Sequence, residues 1–328
     1  MKTKILKLLR ESEGYVSGQR LCEEFGVSRT AVWKVINQLK EEGYHVEAVK
    51  NRGYRIVDIP DVLSEEELKS LLTGKTQWAG QEIYYFPDTD STNIRAKELG
   101  EKGAPHGTLA VAGRQSAGRG RRGRGWESPP GCSIYMSILL RPQFLPSRAP
   151  MLTLAMAYSV AEALKKCTGQ EIGIKWPNDI VLNGKKLVGI LTEMSSEIDY
   201  INHVVIGVGI NVNMDSFSEE IAKTATSLRI ETGQVMKRST LIAEIMKHFE
   251  RDYDTFLRTG DLSGIREAYN SLLVNCGKEV RILGAKEPYQ ALALGINDGG
   301  ELLVRRQDGS EEAVYAGEVS VRGIYGYV

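Results

Sequence analysis

The chain has 328 residues, enough for two or three domains at roughly 100 to 200 residues each, so a small scaffold that depends on cross-links is excluded. Lys plus Arg total 42 and Asp plus Glu total 42, so the formal net charge is zero and any contact with nucleic acid must come from a local patch. A hydrophobic share of 42% and a charged share of 26% are ordinary for a globular protein and argue against disorder over most of the length.

Cys22, Cys132, Cys167 and Cys276 are scattered, with no C-x-x-C pair and no His at zinc-ligand spacing, so reduced thiols and no metal site are expected. The basic N-terminus carries Ile5, Leu6, Leu8 and Leu9 but no signal-peptide core, and no apolar run approaches the ~20 residues that span a bilayer. A cytoplasmic protein without membrane contact is the expectation.

In chain order, residues Thr3 to Glu11 place those four apolar side chains at helical spacing, and Gly14 ends the element. Ser17 can cap a second helix bearing Leu21, Cys22 and Phe25. After Gly26, Ser28 can cap a third that runs to Glu42 and buries Ala31, Val32, Val35, Ile36 and Leu39. The runs 45–49 and 54–57, either side of Lys50-Asn51-Arg52-Gly53, read as a β-hairpin, and the whole as a winged helix-turn-helix. Burying that stripe leaves Arg29, Thr30, Trp33, Lys34 and Asn37 outside, mostly near the helix N-terminus where recognition helices meet bases. Lys50, Arg52 and Arg55 on the wing suit phosphate. Up to Pro60 there are eleven Lys/Arg against eight Asp/Glu, an excess too modest to choose DNA over protein contact by itself. A single module of this size on DNA calls for a dimer on a two-fold site.

Ile59-Pro60-Asp61 marks a linker, with a capped helix restarting at Ser64 to Leu72 and a boundary near residue 62. Strand-like runs follow at Ile83 to Phe86, Thr108 to Ala112, Ser133 to Leu140, Ile172 to Lys175, Leu187 to Met194 and Val204 to Val212. Helical stretches fall at Thr92 to Glu101, Met151 to Lys166 and Thr240 to Leu257, and Asn183-Gly184 signals a hairpin. Helices mixed with hairpins predict an α+β domain around a mostly antiparallel or mixed sheet. From Gly277 onward, five short runs punctuated by Asn297-Asp298-Gly299-Gly300 and Asp308-Gly309 read as a small all-β barrel.

The densest chemical signal is the segment Gly118-Arg119-Gly120-Arg121-Arg122-Gly123-Arg124-Gly125-Trp126. It contains a literal G-x-G-x-x-G, yet Gly125, Pro129 and Pro130 forbid the helix a dinucleotide fold needs, and Ile138, Leu139 and Leu140 lie where its acidic residue belongs. No Walker sequence is present either, because Asp179 stands where its first glycine belongs. What remains is a loop whose glycines let backbone N–H groups approach an anion and whose arginines supply planar donors. A basic loop for nucleic acid is the alternative, disfavoured by the lack of interleaved aromatics apart from Trp126. Lys175-Trp176-Pro177-Asn178-Asp179, followed by Lys185, Lys186 and Gly189, is the second cluster. A lysine beside a phosphate loop can draw a carboxylate and an α-phosphate together, as acyl-adenylate formation requires; alternatively Trp176 and Pro177 pack a hairpin corner below solvated lysines. Asp90-Ser91-Thr92-Asn93 and Gln115 read either as ligands or as a helix cap and a strand-end amide.

These segments, with Gly184-Lys185-Lys186-Leu187-Val188-Gly189, Gly207-Val208-Gly209-Ile210-Asn211 and Gly317-Glu318-Val319-Ser320-Val321-Arg322, resemble the bifunctional biotin-protein ligases that double as biotin operon repressors. They follow the family order over nearly the whole chain. The resemblance implies a multi-domain α+β protein: a winged helix-turn-helix DNA-binding domain over 1–62, a mixed-sheet biotin/ATP-binding catalytic domain over 63–274, and an SH3-like β-barrel over 275–328. It implies that biotin and MgATP give biotinyl-5′-adenylate, with no tightly bound prosthetic group, and that a lysine of the biotin carboxyl carrier domain of acetyl-CoA carboxylase or a related carboxylase accepts the biotinyl group. A homodimer on operator DNA, with the adenylate as corepressor, is the second implied activity.

Carried over, Ser91, Thr92 and Gln115 would bind the biotin ureido ring, with Asn93 beside them. Arg119, Gly120 and Arg121 would close over biotin and phosphate, and Lys186 would hold the carboxylate oxygen, so Lys186, Arg119 and Arg121 are the catalytic candidates. Trp126, Asn178, Gly207, Asn211 and Arg322 are expected on the adenylate side, with small residues at 207 and 209 admitting the nucleotide. Some members cover adenine with a tryptophan; Met214 to Leu228 holds none, and Phe217 is its aromatic candidate. Arg29, Thr30, Trp33, Lys34, Asn37 and Arg52 are the DNA-binding candidates. A non-catalytic biotin-responsive regulator would need a broken phosphate loop, and a lipoate-type ligase would lack the Ser91, Thr92 and Gln115 set.

Overall fold

The computed structural model describes residues 1–283, 287–315 and 320–323, with the last four as backbone alone. Helices α1 (Lys2–Glu11), α2 (Gly18–Phe25) and α3 (Arg29–Glu41) enclose a small core of Ile5, Leu6, Leu21, Val32, Ile36 and Leu39. Ser17 and Ser28 cap the second and third helices by accepting from Arg20 N and Ala31 N, as their positions predict. Strands β1 (His45–Val49) and β2 (Gly53–Asp58) form the antiparallel wing. Gly53 sits at φ 110, and a Cβ there would lie 2.0 Å from Val16 O, so only glycine lets Tyr54 and Val16 exchange backbone hydrogen bonds that dock the wing.

Helix α4 (Glu65–Leu72) joins the module to the rest of the chain. Its Glu67 is 1% exposed and accepts from Arg10 Nη2 at 2.8 and 2.7 Å, Tyr44 Oη at 2.6 Å and Ser239 Oγ at 3.1 Å. Such a satisfied buried carboxylate holds three elements together, because removing one partner would strand a charge away from water. Burial, reinforced by the Glu67 charge, pushes the Tyr44 hydroxyl up and keeps it a donor.

The central sheet comprises β3 (Ile83–Phe86), β4 (Thr108–Ala112), β5 (Ser133–Leu140), β6 (Gly173–Lys175), β7 (Asp179–Leu182), β8 (Lys185–Ser196) and β9 (Ile201–Asn211). Their order is β3-β4-β5-β9-β8-β7-β6, parallel between β3 and β4 and antiparallel elsewhere, so the sheet is mixed as expected. Between and after the strands come α5 (Thr92–Glu101), α6 (Met151–Thr168), α7 (Leu228–Thr232), α8 (Arg238–Thr259) and α9 (Arg266–Leu272). The short α7 and α9 carry too little periodicity to be read from sequence. Ile134, Met136, Ile138 and Leu140 of β5 share the large core with α6 and α8, whereas Leu139 meets Ala96 of α5 on the other face. Every residue of β5 is buried because both faces are covered. That parity turns Tyr135 and Ser137 toward the α5 side.

The C-terminal strands β10 (Glu279–Leu283), β11 (Tyr289–Ile296), β12 (Leu302–Arg305), β13 (Glu311–Val314) and β14 (Ser320–Gly323) form a five-stranded antiparallel sheet in the order β13-β12-β11-β10-β14. Among the described residues its edge strands do not pair with each other. The module docks through Trp176, whose Nε1 donates to Gly300 O at 3.0 Å. Trp176 is therefore a packing residue, and the corner reading of Trp176 and Pro177 describes the tryptophan.

Candidate functional site

The site begins where β3 leads into α5. Asp90 accepts from Ser91 N at 2.6 Å and pairs with Arg95 at 2.8 Å, and the Arg95 hydrogen bonds hold its carboxyl at about 2. Ser91 stands at the N-cap, but its hydroxyl makes no cap hydrogen bond, so the cap alternative fails for it. The Gln115 loop is stapled alongside: Ser116 N donates to Thr89 O at 2.8 Å and Ala117 N to Asp90 O at 2.9 Å. Gln115 Oε1 accepts from Thr92 N at 2.8 Å, and its Nε2 donates to Ser128 Oγ at 2.9 Å. Asn93 Nδ2 donates to Glu193 Oε2 at 2.7 Å and Leu191 O at 3.3 Å, while its Oδ1 lies 2.7 Å from Ser137 Oγ. Burial pushes the Glu193 carboxyl up, but hydrogen bonds from Lys97 and Asn93 outweigh it and leave Glu193 below its ordinary value.

The glycines of β8 and β9 make a bare stripe. Gly207 pairs with Ser137 and Leu191, and Gly209 with Tyr135 and Gly189. A Cβ on Gly207 would lie 2.1 Å from Asn93 Oδ1, and one on Gly209 would lie 2.6 Å from the Trp126 indole. The room predicted to admit a nucleotide is thus occupied by Asn93 and Trp126, because both side chains lie directly on the sheet. The arginine loop folds as a small hairpin: Gly120 N donates to Arg124 O at 2.7 Å and Trp126 N to Gly118 O at 3.0 Å. Its tip, Arg121–Gly123, is a single 3₁₀ turn with Arg122 at φ 58, and no α-helix forms there, in keeping with the rejected dinucleotide site. Arg121 Nη1 donates to Asn178 Oδ1 at 3.1 Å, and burial pulls its guanidinium below the ordinary arginine value. Lys186 Nζ lies 2.7 Å from Asp179 and 5.4 Å over the Trp126 ring.

Two cavities result. One, of about 50 Å³, gathers Ser91, Thr92, Asn93, Gln115, Arg119, Gly120, Arg121 and Lys186, residues up to 95 positions apart, with Trp126, Tyr135, Asn178 and Gly207 also in its lining. The other, of about 570 Å³, is lined by Trp126, Lys186, Asn211, Met214, Phe217 and the 220–225 segment. That segment is seated by Lys186 N donating to Thr224 O at 2.7 Å. Of the residues expected on the adenylate side, Asn178 and Gly207 line the first cavity, Asn211 the second, and Trp126 both. The backbone of Arg322 pairs with Arg281 on β10; its side chain and residues Gly317 to Val319 lie outside the described residues. Sequence reasoning missed Ser137, Ser128, Glu193 and Tyr135. A small polar residue inside the apolar run of β5 was the available signal for Ser137.

On the N-terminal module, Arg29, Thr30, Trp33 and Lys34 are exposed on α3, with Trp33 at 57%, and Asn37 is half-buried. A groove of about 540 Å³ runs from Arg29 to Lys50 and Arg52 of the wing. Arg52 stacks 4.6 Å over the Tyr15 ring, which presents its charge. Arg55 instead pairs with Glu47 at 3.0 Å, so the wing offers phosphate less charge than its three basic residues suggest.

Comparison with known proteins agrees with this architecture. Residues 85–211 match the biotin/lipoate A/B protein ligase family, 2–55 match a helix-turn-helix domain, and 276–322 match the biotin protein ligase C-terminal domain. The bifunctional ligase/repressor BirA of Bacillus spizizenii is 41% identical over 309 residues, 94% of each chain. That of Escherichia coli is 32% identical over 321 residues, 97% of this chain and 96% of its own. The structure of biotin protein ligase from Aquifex aeolicus in complex with biotin and ATP matches with TM-score 0.66 at 31% identity, covering 74% of this chain and 99% of that one. With the helix-turn-helix, ligase and C-terminal modules in the same order and a relative of this similarity spanning nearly its whole length, the chain belongs to the family of bifunctional biotin-protein ligase/repressors.

Proposed function

We propose that this chain activates biotin with ATP and transfers it to a lysine of a biotin carboxyl carrier domain of acetyl-CoA carboxylase or a related carboxylase. In the second role it represses biotin synthesis genes as a homodimer on operator DNA, with biotinyl-5′-adenylate as corepressor. The observation that carries this reading is the common wall of Lys186 and Trp126 between a small polar cavity and a larger cleft. An acid in the first and a nucleotide in the second would bring carboxylate and α-phosphate to the same ammonium group.

A biotin carboxylate oxygen attacks the α-phosphorus, the bond to the β-phosphate oxygen breaks, and pyrophosphate leaves. The carrier lysine then attacks the acyl carbon and AMP departs. Lys186, released from Asp179, holds the carboxylate and the charge developing at phosphorus; Arg119, Gly120 and Arg121 close over both. Ser91, Thr92 and Gln115 bind the ureido ring, with Asn93 behind them, and Trp126, Asn178, Gly207, Asn211 and Arg322 serve the adenylate side. Phe217 of the second cleft covers adenine. Mg²⁺ would be held by the ATP phosphates, whose negative charge it would neutralise.

Arg29, Thr30, Trp33, Lys34, Asn37 and Arg52 meet DNA. Two modules related by a two-fold axis supply the contacts that one lacks. The functional division is 1–62, 63–274 and 275–328, with the chain working in the cytoplasm; among the described residues no helix is long and apolar enough to cross a membrane. Exchange of labelled pyrophosphate into ATP, dependent on biotin and not on lipoate or octanoate, tests the reading, and its absence would overturn it.

A further inference from the structure

The small cavity is walled by amides and hydroxyls whose proton positions are determined, and the determination starts outside it. Glu193 is a carboxylate with two oxygens in different company: Oε1 receives Lys97 Nζ at 2.5 Å and Oε2 receives Asn93 Nδ2 at 2.7 Å. Leu191 O, the second partner of that Nδ2, is also an acceptor only. Asn93 therefore cannot be flipped, and its Oδ1 must face Ser137 Oγ, 2.7 Å away. An amide oxygen has no proton to give, so the single Ser137 proton goes to it. Ser137 is fully buried with Thr92 Oγ1 2.8 Å away; Gln115 Oε1, at 3.2 Å from Thr92 Oγ1, already accepts from Thr92 N, and two oxygens 2.8 Å apart need a proton between them, so Thr92 donates inward to Ser137. With its proton committed, Thr92 Oγ1 offers only lone pairs to the cavity, beside Gln115 Oε1, whose orientation is fixed by Thr92 N.

We infer that Glu193 is a positioning residue that sets, through Asn93 and Ser137, Thr92 as a hydrogen-bond acceptor toward the substrate's ring N–H, and thereby specifies the acid this site takes. The inference rests on the biotin-activating reading above. Glu193 touches no substrate; it acts through two intermediates that Gly207 holds in place by having no side chain.

The charge-removing substitution is a direct test, because Lys97 dictates how the new amide must sit. In Glu193→Gln the amide oxygen turns to Lys97 and the NH₂ faces Asn93, which must flip, so the order of donors through Ser137 to Thr92 reverses. The expected result is a rise in KM for biotin of about tenfold or more, with KM for ATP and kcat unmoved and the rise persisting at about 0.5 M KCl, where a simple charge effect is screened. Lys97→Met in the Glu193→Gln background frees the amide to turn its oxygen back to Asn93 and should return KM to within about threefold of the starting protein. Ser137→Ala, which cuts the chain one step further on, should give the same biotin-selective rise, and it decides the matter if Glu193→Gln does not fold.

An unchanged biotin KM in folded Glu193→Gln or in Ser137→Ala, or a rise that vanishes in salt or is not relieved by Lys97→Met, overturns the inference. Failure of the unsubstituted protein to exchange pyrophosphate with biotin is a different outcome: it overturns the functional reading beneath it.

Discussion

The two cavities share a wall and differ in size and in how firmly their polar groups are paired. The smaller one is lined by polar groups committed to partners: Gln115 to Thr92 and Ser128, Asn93 to Glu193, Leu191 and Ser137. The larger is an open trough edged by Met214, Phe217 and Ile221, seated on Lys186 by one short stretch of backbone pairing. A committed polar lining discriminates, since a ligand with the wrong donor pattern leaves buried groups unpaired. The trough also carries Glu127, Asn211, Glu220 and Thr224, but Met214, Phe217 and Ile221 on its edge gain from contact area and ask little about pattern. The difference teaches that one active site can divide selection and capacity between adjoining spaces, leaving the chemistry to the residues on their border.

Removing the border charge should do most damage. Lys186→Ala is expected to lower biotin-dependent pyrophosphate exchange by at least about a hundredfold with the circular-dichroism spectrum unchanged, since the lost group faces developing charge. Exchange within a few-fold of the starting protein would detach Lys186 from the chemistry. Gly209→Ala should come next: its Cβ would press on the Trp126 indole from 2.6 Å, so KM for biotin and for ATP should both rise by roughly tenfold. Gly207→Ala, which presses on Asn93, should raise the former more than the latter. If the two glycine variants behaved alike, the cavities would not be the separate compartments described.

Phe217→Ala should raise KM for ATP by up to about tenfold, as loss of a stacked ring would, and leave KM for biotin alone. An unmoved ATP value would mean that another group covers the base. Smallest for the ligase, and expected to be nil in a biotinylation assay, are Arg29→Ala and Trp33→Ala, which should weaken operator binding measured by titration. Arg52→Ala should weaken binding to all sequences alike and reduce the salt slope by about one. Loss of biotinylation in any of these would show that the winged module and the ligase are not separable.

How much of this was legible depended on the distance over which each feature is built. The winged module is local: Ser17 and Ser28 cap their helices and Gly26 and Gly53 turn the chain, so caps, stripe and hairpin could be read along one stretch. What it did not show was the pairing of Arg55 with Glu47, which lies opposite on the paired strand. The cavity residues were legible as motifs, yet their arrangement was not. Asn178 and Gly207 were expected on the adenylate side, and their place in the lining of the small cavity could not be read, because sheet register sets Gly207 between Ser137 and Leu191 under Asn93. Glu193 and Ser128 gave no motif signal, since their part in the cavity runs through distant partners, such as Asn93 for Glu193 and Gln115 for Ser128.

The amino-acid sequence by itself determined the order of modules, the elements with strong caps or periodicity, the bare glycine stripe and the identity of the charged groups. Those follow from local backbone preference and from residue chemistry, which neighbours in the chain suffice to express. Only the tertiary structure decided which polar groups donate and which accept, that Trp126 lies on Gly209, and that Lys186 stands between two spaces. Hydrogen-bond polarity and close packing are properties of pairs brought together by the sheet, and a pair separated by as many as 100 residues, as Asn93 and Glu193 are, has no expression in either segment alone.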